Sequence, residues 1–227
     1  LIQNGNQKLG KLIWGWSIPP DITCPGASPT CKELCYGCEG RYYLPRVQQA
    51  LARNLKASKE KEFVPWMVHE IRENFVRVFR PHVVGDFYNE RYVRKWIRIV
   101  KRSRETEFFT YTRTWAVPDY FDAIVELGRQ PNMQLWLSFD RDMAVPPRLK
   151  GFRRCYLAAD DEDHPPQKVD LVFRDYRRTV MKRAKYRVLV CPYDNGVTNT
   201  TCSKCGICWR KADECKCKTA SRQVARG

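Results

Sequence analysis

Arg80-Pro81-His82-Val83-Val84-Gly85-Asp86-Phe87 leads, through residues 89–103, into Glu107-Phe108-Phe109-Thr110-Tyr111-Thr112, and this stretch decides the fold. Its first piece is apolar and ends in a polar turn, which predicts a buried strand. The middle piece carries Tyr92, Val93, Trp96, Ile97 and Val100 at helical spacing, so it predicts a helix with one buried stripe. The third piece is aromatic and β-branched, as strands are. The alternation continues outward. Residues 118–127 predict a helix that opens on Pro118 and ends at Gly128. Met133 to Phe139 predicts the next strand, and shorter strands are expected at 154–159, 169–173 and 186–190. Upstream, 11–18 reads as a first strand, followed by helices at 45–57 and 63–78.

Strand–helix–strand units at this spacing imply parallel pairing through right-handed crossovers. Six or seven such strands suit an α/β fold of the incomplete (β/α) barrel kind. In that architecture the site lies at the carboxyl ends of the strands. There the sequence puts Asp86, Tyr88, Thr112, Arg113, Ser138, Asp140, Asp160 and Cys191.

The chain has 227 residues, 43% of them hydrophobic, enough for a globular unit with a sizeable core. No apolar run approaches the ~20 residues of a membrane span. No basic-then-apolar signal sequence opens the chain, and a short leader is expected to precede Leu1. The expected compartment is the cytoplasm. The formal net charge is +16, which favours a polyanionic partner, either nucleic acid or a nucleotide. The basic residues are dispersed as pairs: Arg94-Lys95, Lys101-Arg102, Arg153-Arg154, Arg177-Arg178 and Lys182-Arg183.

Of the 11 cysteines, all but Cys155 fall within 24–38 or 191–217. An odd count in two dense groups points to thiolates on metal in a reducing compartment, not to a disulfide framework. Cys31, Cys35 and Cys38 are spaced C-x3-C-x2-C, directly after the first strand. Three thiolates on one tight loop can hold three irons of a [4Fe–4S] cluster and leave the fourth open. An open iron can bind S-adenosylmethionine, and this spacing marks the radical SAM enzymes. Cys24 could supply a fourth thiolate and close the cluster. The Gly85-Asp86 pair stands where that superfamily carries Gly-Gly-Glu, which holds the methionine amine. A glycine permits close approach and a carboxylate accepts from an ammonium. Gly85, Asp86, Thr112, Arg113, Ser138 and Asp140 are therefore the candidate cofactor-binding residues. The alternative for Asp86 is a helix cap or turn.

The second group joins Cys191-Pro192 to Cys202-x2-Cys205-x2-Cys208, the ligand logic of bacterial ferredoxins. Cys215 and Cys217 are then spare thiols or alternative ligands. Zinc is the rival metal in both groups, and Cys202, Cys205, Cys215 and Cys217 could form a zinc knuckle. Cys155 reads as a core residue, and His69, His82 and His164 are scattered.

Several motifs together resemble the phage gene product 88 family. They are Lys8-Leu9-Gly10, Thr23-Cys24-Pro25-Gly26-Ala27, Cys31-x3-Cys35-Tyr36, residues 82–88 with Tyr92 and Trp96, Tyr111-Thr112-Arg113-Thr114-Trp115, and the Cys191-Pro192 ending. The resemblance implies a bacteriophage or prophage origin and a fold related to radical SAM barrels. The family pattern has Cys24, Cys31 and Cys35 followed by Tyr-Ala, whereas this chain has Tyr36-Gly37 and adds Cys38. Either Cys38 is incidental or this member has moved toward C-x3-C-x2-C.

The expectation is thus a radical-SAM-type partial (β/α) barrel over 1–190, with a cysteine-rich cluster-binding segment over 191–227. It would hold one or two [4Fe–4S] clusters and act on a polyanionic substrate, drawing electrons from a flavodoxin or ferredoxin. The competing expectation is a non-enzymatic iron–sulfur or zinc protein with a structural, redox-sensing or nucleic-acid-binding role.

Overall fold

The computed structural model describes residues 1–174, 188–197 and 199–211. Seven strands form one sheet: β1 (Gln3–Asn4), β2 (Ile13–Gly15), β3 (Val78–Arg80), β4 (Glu107–Thr112), β5 (Met133–Phe139), β6 (Arg153–Ala158) and β7 (Leu171–Arg174). Their order in space is their order in the chain. β1 pairs antiparallel with β2, and every later neighbour is parallel. Six α-helices accompany them among the described residues: α1 (Pro29–Glu33), α2 (Pro45–Lys59), α3 (Phe63–Glu73), α4 (Glu90–Arg102), α5 (Pro118–Gly128) and α6 (Cys202–Cys205). The fold is a mixed α/β unit.

Parallel neighbours in chain order, joined by right-handed crossovers, send their helices to one face of the sheet. The core divides accordingly. On one face α3, α4 and α5 pack against Phe79, Phe108, Leu135, Leu137 and Phe139. Tyr92, Val93, Trp96, Ile97 and Val100 are all at most 3% exposed, so the predicted stripe is the packing face of α4. Burying side chains of this size contributes about 1.5–3 kcal/mol each. Asn89 caps this helix by accepting from the Tyr92 amide. On the opposite face Ile13, Val78, Phe109, Trp136, Cys155 and Leu171 form a second cluster, covered by Cys191, Ile207 and Cys208. Burial on both faces explains the near-continuous apolar strands.

The sequence expectations held for β4 and β5 and, within a residue or two, for α2, α4, α5, β6 and β7. The others moved for identifiable reasons. The strand expected over residues 80–87 is Val78–Arg80, because Pro81 cannot donate to a ladder and His82 turns at φ +57°. The preceding helix stops at Glu73, where Phe75 at φ +50° reverses the chain. The first strand shrinks to Ile13–Gly15, with the short β1 beside it. Gly128 is the last residue of α5, and a Cβ there would meet the Phe152 ring at 2.2 Å, so close packing excludes a larger side chain. Of the strand expected at 186–190, Val190 makes one parallel bridge to Val172, and residues 186–187 lie outside the described residues.

The basic pairs are only partly a surface feature. Lys95 is buried and donates to the carbonyls of Ser58 (2.7 Å) and Glu60 (2.6 Å), where α2 ends. Arg153 donates to Ile207 O, and Arg154 to the carbonyls of Pro146 and Lys168. Arg94 and Lys101 both pair with Glu126. Residues 177–178 and 182–183 lie outside the described residues. The acidic loop after β6 is also structural: Asp163 accepts from the Tyr156 hydroxyl and the Ala159 amide.

Candidate metal centres

The amino-terminal cysteines are carried by a compact loop at the carboxyl ends of the strands. Ser28 caps α1 by accepting from the Cys31 amide at 3.0 Å, which fixes Cys31 in the first turn. Pro29 follows the cap, where its missing N–H costs nothing. The chain leaves α1 at Leu34, and a single 3-10 turn over Tyr36–Cys38 brings Cys38 back to Cys35, its amide donating to the Cys35 carbonyl at 2.9 Å. All four cysteines are half-buried free thiols. They share one electrostatic neighbourhood. Burial pushes the Cys24 thiol up to about 12, and Asp86, Cys31 and Cys35 add to the effect. Cys31 is raised by burial and, more weakly, by Asp140, Asp86 and Cys38, against the lowering pull of Arg113. Cys24 is therefore a member of the group, along with Cys31, Cys35 and Cys38.

Beneath this loop five of the six predicted cofactor-binding residues meet. Asp86 accepts from the Thr112 hydroxyl (2.7 Å) and from the amides of Phe87 (2.8 Å) and Arg113 (2.9 Å). Burial raises its carboxyl, and these hydrogen bonds pull it back down. Both oxygens thus have partners within the chain, so Asp86 pins the loop after β3 to the end of β4. Asn89, not Asp86, caps the following helix. Gly85 turns at φ +84°, and a Cβ there would meet Ile18 and Thr23. Arg113 pairs with Asp140 at 2.5 Å, with the two side chains 8% and 0% exposed. Ser28 donates to the same carboxylate, and Met143 Sδ lies 2.9 Å from the guanidinium. The approach is tight: a Cβ on Gly26 would stand 2.2 Å from the Arg113 carbonyl oxygen.

Ser138 does not join them. It pairs in register with Cys155, and its carbonyl accepts from Trp115 Nε1. Strand alternation turns the Ser138 side chain to the face opposite Leu137 and Phe139.

The carboxyl-terminal cysteines lie on that opposite face. Cys191 is positioned by its backbone N–H, which donates to the Val172 carbonyl at 2.8 Å. Thr201 caps α6, and Gly206 at φ +74° ends it, which returns Cys208 toward Cys202. The segment is fastened at several points. Cys202 N donates to Lys8 O (2.8 Å) and Ser203 N to Leu9 O (3.0 Å). Trp136 Nε1 donates to Cys208 O (2.8 Å), Arg153 to Ile207 O (2.5 Å), and Trp209 Nε1 to Cys202 O (3.2 Å). Cys191, Cys202, Cys205 and Cys208 line one narrow pocket with Leu171 and Ile207, with about 10 Å³ of accessible space. Burial pushes Cys191 up to about 12 and Cys208 well above its ordinary value. Cys215 and Cys217 lie outside the described residues.

Two cations that sequence reasoning missed flank this pocket. Lys8 pairs with Asp194 at 2.6 Å and stands over the Phe173 and Tyr193 rings. Arg80 stacks on Tyr111 at 5.0 Å, within electrostatic reach of Cys202 and Cys208. Four thiols lining one narrow pocket, with cations beside them, supply the donor types that an iron–sulfur cluster takes. Among the described residues, no three His, Cys, Asp or Glu side chains stand as the ligands of a single metal ion. Nor, among them, is any helix long and apolar enough to cross a membrane.

A compact α/β protein with two separate cysteine groups is the class that fold and sites define. Comparison with known proteins gives the family. The family described as Gene product 88 matches residues 1–211, so the chain belongs to it. It is 24% identical over 209 residues to the Gene 88 protein of Mycobacterium phage D29, covering 82% of this chain and 78% of that protein. The Gene 88 protein of Mycobacterium phage L5 is 24% identical over 208 residues, with the same coverage. No solved structure matches the chain.

Proposed function

We propose that this is a phage-encoded iron–sulfur protein of the radical SAM kind, with a [4Fe–4S] cluster in each cysteine group. The observation that carries this reading is the amino-terminal loop. C-x3-C-x2-C thiols lie over a buried polar floor of Asp86, Thr112, Arg113 and Asp140, at the carboxyl ends of parallel strands. Sequential parallel order also supports the partial barrel. When bound, the amino-terminal cluster would supply the electron that cleaves S-adenosylmethionine.

The chain's own residues then have definite tasks. Cys31, Cys35 and Cys38 would hold the cluster, and Arg113, fixed by Asp140, offsets negative charge beside Cys31. Asp86 keeps the strand ends together and offers its remaining lone pairs to an ammonium. In the second group Cys191, Cys202, Cys205 and Cys208 would close an auxiliary cluster. Lys8 and Arg80 balance its negative charge, and Trp136 and Arg153 fix its loop. A cubane takes one thiolate at each of four corners, so it accepts thiols spread round a space better than zinc does.

The test is anaerobic purification with iron, sulfide and zinc analysis, then incubation with dithionite and S-adenosylmethionine. The expected results are iron with visible charge-transfer absorption, and 5′-deoxyadenosine. Intact clusters without that product would refute the enzyme. The second reading, a non-enzymatic cluster protein, is favoured by Cys24, a thiol that precedes α1 and shares the electrostatic surroundings of Cys31 and Cys35. Retention of the amino-terminal cluster's four-cysteine spectrum in the presence of S-adenosylmethionine, and its loss in Cys24→Ala, would establish it.

A further inference from the structure

Residues 40–59 carry five cations, Arg41, Arg46, Arg53, Lys56 and Lys59, and no Asp or Glu; Glu39 and Glu60 bound the run. Most of it is α2, which buries Leu51, Asn54 and Ser58. At about 3.6 residues per turn, Arg46, Gln49, Arg53 and Lys56 fall together on the opposite side, with Lys59 next to them. All five cations are exposed, and none forms an ion pair among the described residues. The other long helices differ. α3 carries Glu70 and Glu73, and α5 carries Asp119, Asp122 and Glu126. The basic side of α4 is partly neutralised, because Arg94 pairs with Glu90 and Glu126, and Lys101 with Glu126. Arg46 also stands in the first turn of α2, where positive charge opposes the helix dipole, a placement that folding alone does not favour.

Exposed aromatic rings precede the helix. A second 3-10 turn, Gly40–Tyr43, leads into α2. Tyr43 is 70% exposed and Tyr36 50%, so burial accounts for neither ring. Tyr36 is fixed from its far end, its hydroxyl donating to the Val83 carbonyl while Tyr42 packs beside it at 6.2 Å. A row of unpaired cations with exposed rings at one end complements nucleic acid, whose phosphates meet the cations and whose bases stack on the rings. Bases in a duplex already stack on one another, so the rings favour a single strand. Anionic lipid is the poorer match, because the apolar side of α2 is packed into the fold and has nothing to insert. We infer that the outward side of α2, with Tyr43 and Tyr36 on the turns before it, binds single-stranded nucleic acid. These turns pack against each other and against α2, so a strand held there runs beside the amino-terminal cysteine loop. Its service as substrate rests on the radical SAM reading; its binding does not.

Fluorescence anisotropy of the full chain with a labelled oligothymidylate of about 15 nucleotides, without S-adenosylmethionine, tests this. Micromolar binding at low salt is expected, with log K falling against log salt at a slope of about −3, as for four or five phosphates on a single strand. Arg46→Gln, Arg53→Gln, Lys56→Gln and Lys59→Gln together should weaken binding at least about tenfold and bring the slope to about −1. Arg91→Gln, Arg98→Gln, Arg102→Gln and Arg104→Gln together remove the same charge from exposed positions on α4 and the turn after it, and should weaken binding less than about threefold. Tyr43→Ala should weaken it at least about fivefold, and Tyr43→Phe should not. Circular dichroism checks that each variant is folded. No binding, equal loss from the two charge variants, indifference to Tyr43→Ala, equal affinity for a duplex, or binding only to phosphatidylserine vesicles would each overturn the inference.

Discussion

The two cysteine groups sit in opposite surroundings. The amino-terminal thiols are half-buried on a surface loop above a charged, hydrogen-bonded floor. In the carboxyl-terminal group Cys191 and Cys208 are 6% and 7% exposed and belong to the apolar cluster on the open face of the sheet. The first group is carried on a loop, with the folded sheet beneath it. The second is part of what covers that sheet. One environment suits chemistry with an incoming molecule; the other suits a closed, structural or electron-storing role.

The sharpest way to break this contrast is a pair of single substitutions. Cys208→Ser should remove iron from its group and lower the melting midpoint by about 10 °C or more, since several kcal/mol in a chain of this size shift it by that much. Cys31→Ser should remove as much iron yet move the midpoint by no more than about 3 °C. Equal melting of the two variants would abolish the distinction. Next in size is the buried pair at the amino-terminal floor. Asp140→Ala leaves Arg113 charged and unpaired, a loss of about 3–5 kcal/mol in denaturant unfolding. The double replacement Arg113→Met with Asp140→Leu should recover most of it, and failure to recover would mean that packing, not charge, is at stake.

Acid distinguishes the two regions by another route. His82 lies under the Gly85–Asp86 turn, packed against Phe87, with Nε2 3.0 Å from the Tyr92 hydroxyl. Burial, helped by Arg80, pushes it down to about 3 from an ordinary 6.5. The unfolded chain therefore binds a proton between those values that the folded chain refuses. Stability should be whole above pH 6.5 and fall toward pH 3, by up to about 1.4 kcal/mol per pH unit from this group. His82→Asn, which tolerates the positive φ, should flatten that slope in pH-dependent melts; an unchanged slope would remove His82 from the account. The smallest effect belongs to the carboxyl-terminal loop. Trp136→Phe loses the bond to the Cys208 carbonyl and should cost about 1 kcal/mol, read from denaturant midpoints.

The sheet was legible where strands and helices carry period, as at Tyr92, Trp96 and Val100, or where β-branched and aromatic runs are bounded by turns, as in β4 and β5. It was obscured where a short strand and a loop share one composition. His82 to Phe87 is as apolar as a strand, yet Pro81 and the His82 backbone make it a loop. The cysteine groups could be read because ligand spacing is local. Arg113 and Asp140 followed from the rule that strand ends carry the site, but their pairing with each other did not. Lys8 and Arg80 could not be read, because their meeting with Cys202 and Cys208 depends on the chain's last described segment returning to its first residues. Ser138 was misread by one strand alternation. Ser28, by contrast, precedes Pro29 and Thr30 as helix caps do, and that signal was available.

The bond from Cys202 to Lys8 has a consequence for biosynthesis. A ribosome delivers the polypeptide from its amino end, so the strands emerge well before the segment that lies across their open face. Until that segment arrives, Phe109, Trp136 and Leu171 have no cover, and the nascent chain must be shielded or must wait. Docking of the carboxyl-terminal cysteine segment onto the open face is then a late step of folding, and anything that delays that segment leaves the sheet uncovered for longer.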